Sequence, residues 1–482
     1  MNEDPQEFSF QPRVINPMKL RRVYLLSADE AIRASGARLR SRMPWLETTL
    51  LSNPAAVGKI EQRDPFVLLL DDTAALMVDC GKLRSTNADA VIALLSYNPL
   101  VHCAPPSIAR REFPYTRCAD LVFAVDRDRL IPDRIVTSAV RAAEDFINIR
   151  KYSQAQRFIF LVVDDEPRWI SQFLPVLYEI IGQRADVWVT GTFEETLNFL
   201  FGVEREADIG DSPRGHGDDV VCLIADLFFP RGDNLKSYAG EDLIRLVRRF
   251  YPRTTVIIAS KAKEALELKS EGFVLPKGDP GSLETLRAYI NDFTGIGAFV
   301  VRDEAGNELQ RVQNIRGLFE LISKAQGPDA DARRLREILD NYGEKDMFST
   351  WLYMHSYSDL ADRLRPVKAR GEQMVAVLKR HLQWAVRMLP HTPLEVGGMK
   401  IYRLEDLPTI MRSLPPEKLQ TFSDNDVISS WLDRKGYSEL AEEIRPIHGQ
   451  GAALTDELAT TIERWISTVE PENLDRASRQ LI

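Results

Sequence analysis

A chain of 482 residues, 44% hydrophobic and 28% charged, has the composition of a folded globular protein and room for three domains of ordinary size. Its formal net charge of −9 argues against broad, sequence-independent nucleic-acid binding, which needs a basic face. No apolar run approaches the about 20 residues of a membrane span, and the acidic start Met1-Asn-Glu-Asp-Pro-Gln-Glu7 lacks the apolar core of a signal peptide. Cys80, Cys103, Cys118 and Cys222 have no metal-ligand spacing, so we expect reduced thiols in a cytoplasmic protein without membrane contact.

In the first third, residues 1–150, apolar strand-like runs alternate with helical stretches. Arg22-Val-Tyr-Leu-Leu-Ser27-Ala28-Asp29-Glu30 reads as a first strand, Phe66 to Asp72 as a third, Ala90 to Ser96 as a fourth and Ala119 to Val125 as a fifth. A helix from about Asp133 to Arg150 follows. This alternation predicts a doubly wound α/β sheet.

The middle third, residues 155–298, carries four short stretches that point to one site. They are Leu161-Val-Val-Asp164-Asp165-Glu166-Pro167, Cys222-Leu-Ile-Ala-Asp226-Leu-Phe228-Phe-Pro230, Val256-Ile-Ile-Ala-Ser260-Lys261 and Gly272-Phe-Val-Leu-Pro-Lys277-Gly278. The first three are apolar runs that turn polar where a buried parallel strand would end. Ligands of open α/β sheets sit beyond the carboxyl ends of the strands, so three carboxylates, a hydroxyl and an ammonium should gather there. Carboxylates at that density call for a hard cation, and Mg²⁺ suits one or two carboxylates completed by phosphate oxygens and water. Glu204 to Asp219 reads as a polar, Gly-rich loop inserted before the third strand of this segment. Arg231 to Gly240 is a second insertion, placed to shield the site.

The last third, residues 299–482, contains a duplication. Asp346-Met-Phe-Ser-Thr-Trp351-Leu-Tyr-Met-His-Ser-Tyr357-Ser-Asp-Leu-Ala-Asp-Arg-Leu-Arg365-Pro366 recurs from Asp426 to Pro446, with Trp431, Tyr437 and Arg445 at matching places. Ten of 21 positions are identical without a gap, which defines two repeats, about 310–390 and 398–466. Apolar residues fall at helical spacing, so Trp351 and Trp431 are expected in the core. Asp346 and Asp426 are expected to be N-caps, and Pro366 and Pro446 to be helix ends. His355, His381, His391 and His448 are dispersed and expected to be solvated. Arg363, Arg365, Lys368 and Arg370 form a basic cluster, a solvated face or a contact for an acidic partner. No phosphate loop, His/Cys metal spacing or nucleophile-base pair occurs in this third.

The order and character of the residues in the middle third resemble the receiver domain of bacterial two-component response regulators, over residues 157–293. The resemblance implies that Asp226 is the phosphoacceptor and that Asp164, Asp165, Asp226 and the carbonyl of Phe228 hold Mg²⁺. It implies that Ser260 is the switch hydroxyl and Lys277 the family lysine, with Pro230 completing D-x-x-x-P. The chain departs from the pattern at Val274, where receivers carry an aromatic (here Phe273), and at Gly278, where proline usually follows the lysine. The first third resembles a second, degenerate receiver. There Asp29 aligns with Asp165, Ala28 replaces the other acid and no lysine ends the fifth strand, so no turnover is expected. Leu70-Asp71-Asp72-Thr73 lacks the D-x-D spacing of haloacid-dehalogenase-type phosphatases.

The fold expected is α/β followed by all-α: two doubly wound, flavodoxin-like receiver domains, the first degenerate, then a helical tandem-repeat domain. The function expected is that of a response regulator in a phosphorelay, phosphorylated by a cognate histidine kinase or phosphotransfer protein. Its catalysis is limited to phosphoryl acceptance and autodephosphorylation. Residues 299–482 would bind a protein output partner, with a homodimer as a further arrangement. The alternatives are a transcription factor that reads DNA with its C-terminal helices, for which no basic recognition helix is present, and an enzyme with an unrecognised C-terminal active site.

Overall fold

Strands of five or six apolar residues buried from end to end, such as Phe158–Val163 and Val91–Ser96, form the centre of two parallel sheets in a computed structural model of the chain. The structure describes residues 20–468, apart from 44–45, 61–63, 127–131, 152–157, 183, 262, 269–270, 356, 366–368, 389–391, 397, 425, 446 and 448–450. The chain divides into two compact units, one of residues 16–289 and one built on residues 290–482.

The first unit holds both sheets. Its first half runs β1 (Arg22–Leu26), α1 (Glu30–Arg42), β2 (Glu47–Leu50), β3 (Val67–Asp71), α2 (Asp72–Met77), α3 (Cys80–Thr86), β4 (Val91–Ser96), α4 (Pro99–His102), α5 (Pro106–Glu112), β5 (Leu121–Ala124) and α6 (Pro132–Lys151). The strand order is β2-β1-β3-β4-β5, all parallel. Its second half runs β6 (Phe158–Val163), α7 (Pro167–Ile181), β7 (Ala185–Thr190), α8 (Phe193–Phe201), β8 (Val220–Ala225), β9 (Phe229–Arg231), β10 (Asn234–Ser237), α9 (Ala239–Phe250), β11 (Thr255–Ser260), β12 (Phe273–Pro276) and α10 (Ser282–Phe293). The order β12-β11-β8-β6-β7 is the same doubly wound arrangement, read from the other edge.

Helix α6 serves both sheets. It packs on α1, β3, β4 and β5 of the first and on α7 and β7 of the second. Its Asp145, buried to 1% exposure, accepts the Tyr178 hydroxyl of α7 and the Val187 amide of β7, both at 2.9 Å. Arg141 donates to the Gly182 carbonyl at 2.7 Å and lies over the Tyr178 ring. A polar stripe on one helix thus satisfies an edge strand that belongs to the next sheet.

The second unit runs β13 (Phe299–Arg302), β14 (Glu308–Val312), α11 (Ile315–Lys324), α12 (Ala330–Glu344), α13 (Met347–Met354), α14 (Ser358–Leu364) and α15 (Gly371–Met388). It continues with β15 (Leu394–Val396), β16 (Met399–Ile401), α16 (Leu407–Ser413), α17 (Pro416–Asp424), α18 (Val427–Arg434), α19 (Ser438–Ile444) and α20 (Gly451–Thr468). The region is helical as expected, with one addition: an antiparallel hairpin opens each succession of five helices among the described residues. Trp351 and Trp431 are both 1% exposed. Each indole N–H donates to a carbonyl just ahead of its hairpin, Gly297 at 2.9 Å and Thr392 at 3.2 Å.

The expected N-caps are corrected as well. Asp346 and Asp426 stand at the N-cap positions of α13 and α18 with φ of 56° and 54°, and neither side chain makes a capping bond. The Asp346 amide already bonds to Gly343 as α12 ends, so the chain must turn sharply through a left-handed residue, which aspartate tolerates. The carboxylates turn instead to Arg365 at 3.0 Å and Arg445 at 3.9 Å. Pro366 and Pro446 lie outside the described residues.

Candidate functional site

The register of the second sheet brings its polar strand ends to one edge. Val163 pairs with Ala225, Ala225 with Ile258 and Ser260 with Pro276, so Asp164, Asp226, Ser260 and Lys277 follow in adjacent strands. The Lys277 amide donates to the Ser260 carbonyl at 3.1 Å, which carries the lysine to the mouth. Its ammonium bonds to Asp164 and, at 2.6 Å, to Asp226, with the lysine and Asp164 side chains each 1% exposed. Carboxylate oxygens of Asp164, Asp165 and Asp226 lie within 4.8 Å of one another. Ser260 is buried at the end of β11, and Phe228 lies in the turn just after Asp226. The structure therefore brings Asp164, Asp165, Asp226 and Lys277 together.

The electrostatics follow from burial. Burial pushes the Asp165 carboxyl up to about 7, with the charges of Asp164 and Glu166 adding to it. Burial also lifts Asp164 to about 6; Lys277 opposes that rise and Asp226 adds to it. For Lys277 burial favours the neutral amine, but the carboxylates of Asp164 and Asp226 outweigh it and raise the pKa. Three carboxylates facing one ammonium leave an excess of negative charge, and a donor set of carboxylate oxygens suits a hard divalent cation such as Mg²⁺.

Backbone fit is tight around Asp226. Its Oδ1 accepts the Leu227 amide at 2.6 Å, and α9 begins so close that a Cβ on Gly240 would stand 2.3 Å from the Asp226 carbonyl oxygen. Only glycine fits there. The segment Arg231 to Gly240, read as an insertion after β8, lies partly in the β9–β10 hairpin. The Phe228 ring packs tilted against Tyr238 beside it, ring centroids 5.0 Å apart.

Sequence reasoning missed the wall made by Trp169. Its ring lies 5.6 Å from the Lys277 ammonium and 4.8 Å from that of Lys261. The Glu166 carboxylate fixes it, accepting the indole N–H and Arg168 Nε, both at 2.7 Å. A glutamate and a tryptophan three apart in the first turn after an acid pair was the available signal. A cavity of about 800 Å³ between β5 and β7 reaches Asp164 and Asp165, next to this site.

The first sheet shows what the same edge becomes without the lysine. Leu26 pairs with Leu70, Asp71 with Leu95 and Ser96 with Ala124. By register Ser27 stands where Asp164 does, Ala28 for Asp165, Asp71 for Asp226, Ser96 for Ser260 and Val125 for Lys277. The expected alignment of Asp29 with Asp165 is thus off by one, because Asp29 is the N-cap of α1 and accepts the Ile32 amide at 3.0 Å. Asp71 is satisfied by the Ser27 hydroxyl at 2.6 Å and by the amides of Ala28 and Ala74 at 2.7 Å. Asp72 takes the Ser96 hydroxyl and the Tyr97 amide, each at 2.7 Å.

In the second unit His355 is buried rather than solvated, 3.1 Å from Asp433 and 2.9 Å from the Gly297 carbonyl. The basic cluster is partly structural. Arg363 lies over the Trp384 ring, Arg365 pairs with Asp346 and Arg370 with Glu344 at 2.7 Å. Lys368, His391 and His448 lie outside the described residues. Among the described residues no helix is long and apolar enough to cross a membrane.

No family model and no curated relative matches the chain. Among solved structures it is similar to a putative two-component system response regulator/GGDEF domain protein, at 15% identity over 56% of this chain and 97% of that one, with a TM-score of 0.27. It is similar to a putative sugar binding protein from Salmonella typhimurium LT2 at 8% identity, over 50% and 78%, with a TM-score of 0.18. It is also similar to NtrX from Brucella abortus in complex with ADP, at 12% identity over 93% and 99%, with a TM-score of 0.19. At such scores these likenesses carry no argument.

Proposed function

We propose that the chain is a response regulator in which residues 155–298 act as a receiver phosphorylated on Asp226, residues 1–150 are an inactive receiver-like partner, and residues 299–482 are a protein-binding output. The observation that supports this most is the Lys277 ammonium, held between Asp164 and Asp226 at the carboxyl edge of a doubly wound sheet.

The residues divide the chemistry between them. Asp226 Oδ attacks phosphorus as the bond to the leaving nitrogen of a phosphohistidine donor breaks, giving an acyl phosphate. Lys277 neutralises the incoming phosphoryl group, and the Ser260 hydroxyl donates to one of its oxygens. Asp164, Asp165, Asp226 and the Phe228 carbonyl would hold Mg²⁺, which supplies charge neutralisation and orientation when bound. Trp169 covers the lysine and limits water on that side. The new group carries roughly two negative charges, which draw Ser260 and Lys277 toward it and reshape the face around β12. A histidine kinase or phosphotransfer protein is the donor, and an output partner or second copy of the chain reads the change.

Incubation of the full chain with acetyl phosphate and Mg²⁺ should add one phosphoryl group, mapped to Asp226 and absent in Asp226→Asn. Label that persists in the variant, or maps to Asp71 or Asp72, overturns the assignment.

A further inference from the structure

Two of the four cysteines meet in the first half of the sheet-bearing unit. Cys80 opens α3, and Cys118 closes the short turn Pro114–Cys118 that leads into β5. Both side chains belong to one apolar cluster, and each thiol shifts the pKa of the other. Cys80 is buried in the apolar cluster under the sheet, while Cys118 is partly exposed at its margin. Arg84, one helical turn along α3 from Cys80, donates to the Cys118 carbonyl at 2.8 Å and to Asp120 at 2.9 Å. Arg117 and Ala119, on either side of Cys118, line the cavity between β5 and β7. Neither thiol lines that cavity; a small solute reaches Cys118 through its own partial exposure.

The two thiols are unlike each other. The hydrogen bond from Cys80 lowers the pKa of Cys118, and the Arg84 guanidinium acts in the same direction against the effect of burial. Cys80 is raised far above the usual thiol range by its bond to Cys118 and by burial. In its thiol form Cys118 donates to the Tyr115 carbonyl at 3.2 Å. A part-exposed thiol and a buried one thus share one cluster, whereas Cys222 is buried and Cys103 is exposed, with no cysteine partner shown for either.

We propose that Cys118 and Cys80 are an oxidation site for hydroperoxides, closing to a disulfide that ties α3 to the segment before β5. In the first step the Cys118 thiolate attacks one peroxide oxygen. An S–O bond forms, the O–O bond breaks, and the leaving hydroxide or alkoxide takes up a proton to give water or an alcohol. In the second step the Cys80 sulfur attacks Cys118 sulfur. The S–S bond forms, the S–O bond breaks, and the hydroxyl leaves as water with the Cys80 proton. Two thiols lose two electrons to one peroxide, and a dithiol reductant reverses the change.

The test treats the full chain with hydrogen peroxide, blocks remaining thiols at intervals, and maps peptides by mass spectrometry without reduction. The linked Cys80–Cys118 peptide should form about tenfold or more faster than Cys103 is oxidised, and dithiothreitol should restore both thiols. In Cys80→Ser, Cys118 should accumulate as a sulfenic acid that dimedone traps; in Cys118→Ser, Cys80 should stay reduced. Oxidation of Cys103 ahead of Cys118 in the unmutated chain overturns the proposal, as does failure of dimedone to label Cys118 in Cys80→Ser.

Discussion

Asp165 is the residue whose carboxyl is least at ease in the acid cluster, since it faces Asp164 and Glu166 while Lys277 bonds to the other two acids. A divalent cation bound there would relieve that crowding. Titration with Mg²⁺ should therefore change the emission of Trp169, isolated as the difference between the unmutated chain and Trp169→Phe, and Asp165→Ala should abolish the change. An unaltered titration in Asp165→Ala counts against the site. Asp346 presents a different constraint, a left-handed backbone at φ 56° coupled to a pairing with Arg365. Asp346→Asn keeps the tolerance for that conformation and loses the charge of an ion pair in which the aspartate is buried and the arginine partly exposed. Asp346→Ala should cost about 1 kcal/mol more than Asn, read from urea midpoints, because a Cβ without a polar group is strained there.

At the scale of elements, the two tryptophans anchor equivalent helices to the strands ahead of them through their indole bonds to Gly297 and Thr392. Truncation of either, Trp351→Ala or Trp431→Ala, should destabilise the second unit by about 3–5 kcal/mol in denaturant melts and leave Asp226 phosphorylation intact. The parallel strands were legible because a strand buried on both faces needs an uninterrupted apolar run, as in Phe158–Val163. The hairpins were not. Glu308–Val312 alternates weakly, and Phe229–Arg231 is three residues with a central proline. The acid pair and the lysine could be read because each directly follows an apolar strand. The one-residue misalignment at Asp29 arose because a helix N-cap and a metal-type acid look alike at a strand end. The burial of His355 depends on Asp433, far along the chain, which no local pattern carries.

At the scale of the molecule, α6 makes the two sheets one mechanical problem. Asp145→Ala would leave the Tyr178 hydroxyl and the Val187 amide without their acceptor, at a cost of about 2–5 kcal/mol. Although Asp145 follows the first sheet in sequence, hydrogen exchange should rise in β6 and β7 of the second as well as in β4. Exchange confined to the first sheet would show that the helix does not join them. Because α6 covers β7, one edge of the second sheet is closed to strand addition.

The hydrogen-bonded state of Asp71 also constrains what the first sheet can become by descent. Its oxygens are occupied by Ser27, Ala28 and Ala74, so an acid placed at Ala28 would enter as a second carboxylate beside it with no ammonium at hand. A lysine at Val125, by contrast, would reach Asp71 from the position from which Lys277 reaches Asp226. A lineage building such a pocket on the first sheet would thus have to acquire the base before the acids, and a lineage drifting in any other order meets a stability loss at its first step.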